Sequence, residues 1–82
     1  LDGGDGDDRI FAGSGDDKVY GGNGNDLIRD GDGNDLIEGN DGNDSIHTGN
    51  GNNKVYGGEG NDTLFGGNGR DWIVGGAGND VS

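Results

Sequence analysis

Gly21-Gly22-Asn23-Gly24-Asn25-Asp26-Leu27-Ile28-Arg29 is the stretch that decides how this chain is read. It is the cleanest copy of a nine-residue unit, Gly-Gly-x-Gly-x-Asp-x-aliphatic-x, that fills the sequence. Units begin at residues 3, 12, 21, 30, 39, 48, 57, 66 and 75, with no insertion between them. Slot four is glycine in every unit, from Gly6 to Gly78. Slot six is Asp8, Asp17, Asp26, Asp35, Asp44, Asn53, Asp62, Asp71 and Asp80. Slot eight is Ile10, Val19, Ile28, Ile37, Ile46, Val55, Leu64 and Ile73, and the series ends at Ser82. Slot two is glycine except at Asn40, and slot one is looser, admitting Ala12, Asp30 and Thr48. Self-similarity at one fixed period is the signature of a repeat architecture and outranks any element-by-element reading.

Each unit divides into a six-residue turn and a three-residue strand. The turn is rich in Gly, Asn and Asp, which tolerate positive φ, and Asn40 suits slot two for that reason. The strand, as in Lys18-Val19-Tyr20 or Trp72-Ile73-Val74, holds β-prone residues. In so short a strand only the middle residue points to one face, and that face is aliphatic throughout. Slots seven and nine point the other way and are mixed in character. Two units, 18 residues, close one coil. Stacked coils then give two parallel sheets back to back, with the slot-eight side chains as a thin core between them. Odd units turn at one edge and even units at the other. The whole of 1–82 reads as a single all-β repeat domain.

Composition says what else this fold needs. The chain has 82 residues, 24% hydrophobic, with 23 Gly, no Pro and a net charge of −12. The absence of Pro excludes collagen, and low hydrophobicity with high net charge marks a chain that stays disordered by itself. Eight buried aliphatics cannot offset the entropy of ordering so many glycine-rich turns, so a further binding energy is required. Cys is absent, which removes disulfides and thiolate sites, and a single His47 cannot build a zinc centre. Carboxylates, amides and carbonyls remain, and these suit a hard cation such as calcium. An acidic chain argues against nucleic acid and anionic membranes as partners. No apolar run approaches the roughly 20 residues of a membrane span. The chain starts mid-unit at Leu1 without Met and stops mid-unit at Ser82, so it is expected to be an excerpt or a processed product.

An Asp in the same slot of every stacked turn makes a ladder of like charges about 4.8 Å apart. Such a ladder repels itself until a divalent cation sits between successive rungs. Glycines let the backbone approach the ion and aim carbonyl oxygens at it, toward the 6–8 oxygens calcium prefers. Counting gaps between same-edge turns gives about 7 ions. Asn53 ligates without charge, so weaker sites are expected around its turn. Asp30 and Thr48 in slot one are expected to distort their turns slightly.

The unit resembles the calcium-binding nonapeptide of RTX (repeats-in-toxin) proteins, and the resemblance covers essentially every residue. It implies a parallel β-roll, a right-handed β-solenoid, in secreted Gram-negative bacterial proteins. It implies that calcium sits between neighbouring turns. The ligands would be Asp8, Asp17, Asp26, Asp35, Asp44, Asn53, Asp62, Asp71 and Asp80. Turn carbonyls would join them near Gly4, Gly6, Gly13, Gly15, Gly22, Gly24, Gly31, Gly33, Gly42, Gly49, Gly51, Gly58, Gly60, Gly67, Gly69, Gly76 and Gly78.

Competing readings are weaker. A flexible linker needs no phased aliphatic. An EF-hand beginning at Asp30 fails, because its sixth residue is Asp35 rather than Gly and its twelfth is Asp41 rather than Glu. Ser14, Ser45 and His47 offer no catalytic grouping, since Ser14 lies in a turn and His47 reads as an exposed strand residue. Phe11, Tyr20, Tyr56, Phe65 and Trp72 read as outward β-formers rather than a ligand-binding patch. The expected protein is therefore not an enzyme. It is expected to be a calcium-binding module, and the resemblance implies that it folds outside the cell after type I secretion and serves as a scaffold. Two alternatives stand beside this: an end-to-end stacking subunit of an extracellular filament or adhesin, and the non-catalytic module of a secreted enzyme or toxin.

Overall fold

The structure, a computed structural model, describes residues 1–76 and 78. Eight three-residue strands follow one another: β1 Arg9–Phe11, β2 Lys18–Tyr20, β3 Leu27–Arg29, β4 Leu36–Glu38, β5 Ser45–His47, β6 Lys54–Tyr56, β7 Thr63–Phe65 and β8 Trp72–Val74. They fall in slots seven to nine of successive units. Odd strands form one parallel sheet in the order β1-β3-β5-β7, and even strands form the other in the order β2-β4-β6-β8. Register is 18 residues throughout, as in Ile10↔Ile28, Ile28↔Ile46 and Ile46↔Leu64. The result is a β-solenoid of about four coils, as the repeat predicts.

The strands form because three β-prone residues between two glycine-rich turns have no room for another element. The period then places every slot-eight side chain inward. Val19, Ile28, Ile37, Ile46, Val55 and Leu64 are fully buried, and Ile10 and Ile73 cover the two ends of this column. Ala12 also packs against it from slot one. The molecule is 12 Å deep in its thinnest direction, consistent with two sheets and one layer of side chains between them. The outward aromatics Phe11, Tyr56, Phe65 and Trp72 are exposed, Phe11 and Trp72 most of all, while Tyr20 is half-buried. His47 differs from its expected exposure. It is half-buried because its ring stacks on Phe65 of the next coil, centroids 4.8 Å apart.

Turns are stitched from coil to coil by backbone. The slot-four N–H donates to the slot-three carbonyl of the next same-edge turn, as from Gly24 to Asp41 at 3.2 Å and from Gly42 to Glu59 at 3.1 Å. Among the described residues, slots two and four hold positive φ with the exception of Gly31, and Asn40 does so at 69°. Turns 3–8, 21–26, 39–44 and 57–62 thus line one edge, and turns 12–17, 30–35, 48–53 and 66–71 line the other.

Candidate metal centre

The slot-six side chains of each edge stack into one column along the solenoid. From the second turn of each edge onward, each sends Oδ1 back to the preceding turn, where it accepts the slot-six N–H. The bonds run from Asp8 to Asp26 (2.9 Å), Asp26 to Asp44 (2.8 Å) and Asp44 to Asp62 (2.9 Å) on one edge. On the other they run from Asp17 to Asp35 (2.7 Å), Asp35 to Asn53 (2.9 Å) and Asn53 to Asp71 (3.0 Å). The bonds hold each carboxylate at one oxygen and fix its rotamer. Asp26, Asp35, Asp44, Asn53 and Asp62 are buried, and Asp8, Asp17 and Asp71 are half-buried. Asp80 lies outside the described residues.

The second oxygen is where the chemistry lies. Oδ2 of Asp8, Asp17, Asp26, Asp35 and Asp44 is buried and meets no hydrogen-bond donor. A buried carboxylate oxygen without a partner is costly unless a proton or a cation reaches it. The titration behaviour follows. Burial pushes the Asp44 carboxyl up to about 7 against the opposing N–H of Asp26, and the charges of Asp62 and Asp26 add to the rise. Burial also raises Asp26, with the nearby charges of Asp8 and Asp7 contributing and the Asp8 N–H opposing.

Backbone oxygens complete the set. The sheet ladder uses the carbonyls of slots six and nine, and the turn ladder uses those of slot three. Carbonyls of slots two and four stand outside both. A Cβ on Gly22 would collide with the carbonyl of Gly4, and one on Gly24 with the carbonyl of Gly6. These oxygens therefore face the next turn at a distance that only glycine permits. Oxygen-only donors, buried carboxylates of like charge and close carbonyls fit a hard divalent cation of calcium's kind. Such an ion would supply the positive charge that the unpartnered oxygens lack.

Two turns depart from the pattern, in opposite directions. In turn 48–53 the Asn53 amide replaces the carboxylate, and its Nδ2 reaches the carbonyl of Gly51 at 3.5 Å. Thr48 is fully buried, and its hydroxyl donates across to the carbonyls of Phe65 and Gly66 in the next coil. Gly49 keeps a φ of 79°, so Thr48 does not distort its turn as expected. Asp30 does: Gly31 is the one slot-two residue among those described that leaves positive φ, and its N–H donates to Asp30 Oδ1 at 2.8 Å. Burial raises the Asp30 carboxyl to about 7, with contact from Asp35 adding to it and the Gly31 N–H opposing.

One functional column escaped the reading of the sequence. Slot-five side chains reach forward and accept the slot-five N–H of the next turn. Asp7 does so from Asn25, Asn25 from Asn43, Asp16 from Asn34 and Asn34 from Asn52, at 2.7 to 3.0 Å. The signal was present, since slot five is Asp or Asn in every unit but the one holding Arg70. The slot-five and slot-six ladders run in opposite directions along the axis and clamp each turn from both sides.

Comparison with known families agrees with this geometry. The model of the RTX calcium-binding nonapeptide repeat matches four times, over residues 1–28, 20–55, 29–64 and 47–81. No curated protein and no solved structure matches the chain.

Proposed function

Because the chain belongs to the RTX calcium-binding nonapeptide repeat family, we propose that it is a calcium-triggered folding module of a secreted protein. Its repeats hold calcium between successive turns of each edge, through Asp8, Asp26, Asp44 and Asp62 on one side and Asp17, Asp35 and Asp71 on the other. The observation that carries this reading is the row of buried, unpartnered Oδ2 atoms repeated at one slot. Without cations those oxygens oppose stacking, and a chain this polar stays unfolded, a state suited to passage through a secretion channel. At the millimolar calcium found outside cells, metal binding becomes folding free energy. The family is one of structural calcium-binding repeats rather than catalysts. The role that follows is a scaffold within a larger exported enzyme, toxin or adhesin. Among the described residues no helix is long and apolar enough to cross a membrane.

Circular dichroism during a calcium titration tests the reading. The expected result is a cooperative gain of β signal, reversed by chelator. The same compact sheet in excess chelator overturns it.

A further inference from the structure

We infer that Asp30 makes the space between turns 12–17 and 30–35 a three-carboxylate cation site, where the slot-six column alone supplies at most two carboxylates to a space, and that this site fills first. The inference rests on the calcium-binding reading above and concerns a side chain outside the repeat pattern.

Slot one is the place to add a ligand. A Cβ on Gly21 would stand 2.7 Å from Asp26 Oδ2, and one on Gly57 would stand 2.6 Å from Asp62 Oδ2. A side chain in slot one therefore meets the slot-six carboxylate of its own turn. Asp30 puts a carboxylate there, and the altered φ of Gly31 accommodates it. One oxygen each from Asp17, Asp30 and Asp35 then lie within 4.8 Å of one another. Calcium binds oxygens at about 2.3–2.6 Å, so two ligands of one ion stand up to about 5 Å apart. A single ion thus spans all three side chains.

The three groups are prepared for a cation. Asp35 is only 3% exposed, and Oδ2 of Asp17, Asp30 and Asp35 is buried without a donor. Oδ1 of Asp35 is anchored by the Asp17 N–H and Oδ1 of Asp30 by the Gly31 N–H, so these two carboxylates are held while their other oxygens stay available. Affinity for hard cations rises with the number of charged ligands, and three negative charges gain more from the first ion than two. The next space along this edge is poorer, because neutral Asn53 faces Asp35 there. A trivalent lanthanide should favour the three-carboxylate site more strongly still.

The test is calorimetric titration of calcium chloride, then of terbium chloride, into the 82-residue chain and three variants. Asp30→Asn removes the charge with little change of shape, and Asp30→Gly restores the glycine of the repeat. Asp32→Asn removes an equal charge from the exposed tip of the same turn. The chain itself should bind its first ion at least tenfold more tightly than the rest, with a larger gap for terbium. Both Asp30 variants should lose that first step, and Asp32→Asn should keep it. An undiminished first step in the Asp30 variants, or an equal loss in Asp32→Asn, overturns the inference and leaves the calcium module standing. No calcium binding by the unaltered chain overturns both.

Discussion

Asn53 Oδ1 accepts the backbone N–H of Asp35 at 2.9 Å, in the place that a carboxylate oxygen takes in the neighbouring rungs. The coil-to-coil hydrogen bond thus survives the loss of charge, and only the demand for a cation is relieved. Asn53→Asp should restore that demand. It should tighten calcium binding on its edge several-fold and make the fold less stable in chelator, since it buries a charge beside Asp35 and Asp71. Calorimetry gives the first effect and dichroism in chelator the second. Equal behaviour of the two proteins would mean that slot six does not set the metal dependence.

Asn43 separates clamping from metal binding. Its Oδ1 accepts the Asn61 N–H at 2.7 Å, and its own N–H donates to Asn25. Asn43→Ala removes one acceptor from the slot-five ladder and should cost about 0.5–1.5 kcal/mol. Urea unfolding at saturating calcium should show that loss while the calcium affinity of the folded protein changes less than twofold. A large affinity change would make slot five part of the ion site.

Gly24 is a steric test. Its φ of 111° disfavours any side chain, and a Cβ would strike the carbonyl of Gly6. Gly24→Ala should destabilise the calcium-loaded fold by more than about 1 kcal/mol through backbone strain. It should also weaken calcium binding, because the carbonyl it pushes aside is a proposed ligand. Gly→Ala tolerated without loss at this site would contradict the close stacking of turns.

Acid should imitate the metal in part. Asp44 is pushed up to about 7 and Asp26 is raised as well, whereas an Asp in an unfolded chain titrates near about 3.9. A carboxyl raised by folding favours the fold when protonated. Its contribution is complete below pH about 4 and disappears as pH rises through about 7. In chelator, lowering the pH from 8 to 5 should therefore increase β structure by dichroism. With calcium present, the same change should release ions, since protons and calcium compete for the same oxygens. A β signal in chelator that falls on acidification would reverse the sign of this argument.

Most of the fold was legible because the repeat states it many times. Slot eight named the core from Ile10 to Ile73, and the Asn40 substitution identified a positive-φ position that the structure places at 69°. The slot-six column was legible by the same recurrence. Slot five was missed because Asn and Asp alternate there, although both offer the same oxygen to an N–H. The behaviour of slot one was not legible at all. Whether Asp30 and Thr48 strain a turn depends on what their side chains meet once the turn has folded and the next coil has stacked on it. Thr48 finds the carbonyls of Phe65 and Gly66, while Asp30 finds the carboxylate of Asp35. The Thr48 partners are 17 and 18 residues distant and are brought to it only by closure of the coil, whereas Asp35 lies five residues on and is turned toward Asp30 by the bend of their shared turn.

The pairing of units into coils has a consequence for insertions and deletions. Removing 18 residues would shorten the stack by one storey and leave every downstream turn above its former kind of neighbour. Removing nine would reverse the parity of all that follows. Thr48 and Asn53 would move to the edge whose slot one is glycine throughout, and Asp62 would be carried to the side that now holds Asp35. Changes by even numbers of units would therefore keep each flank above its own kind, and odd changes would exchange the two flanks of the molecule.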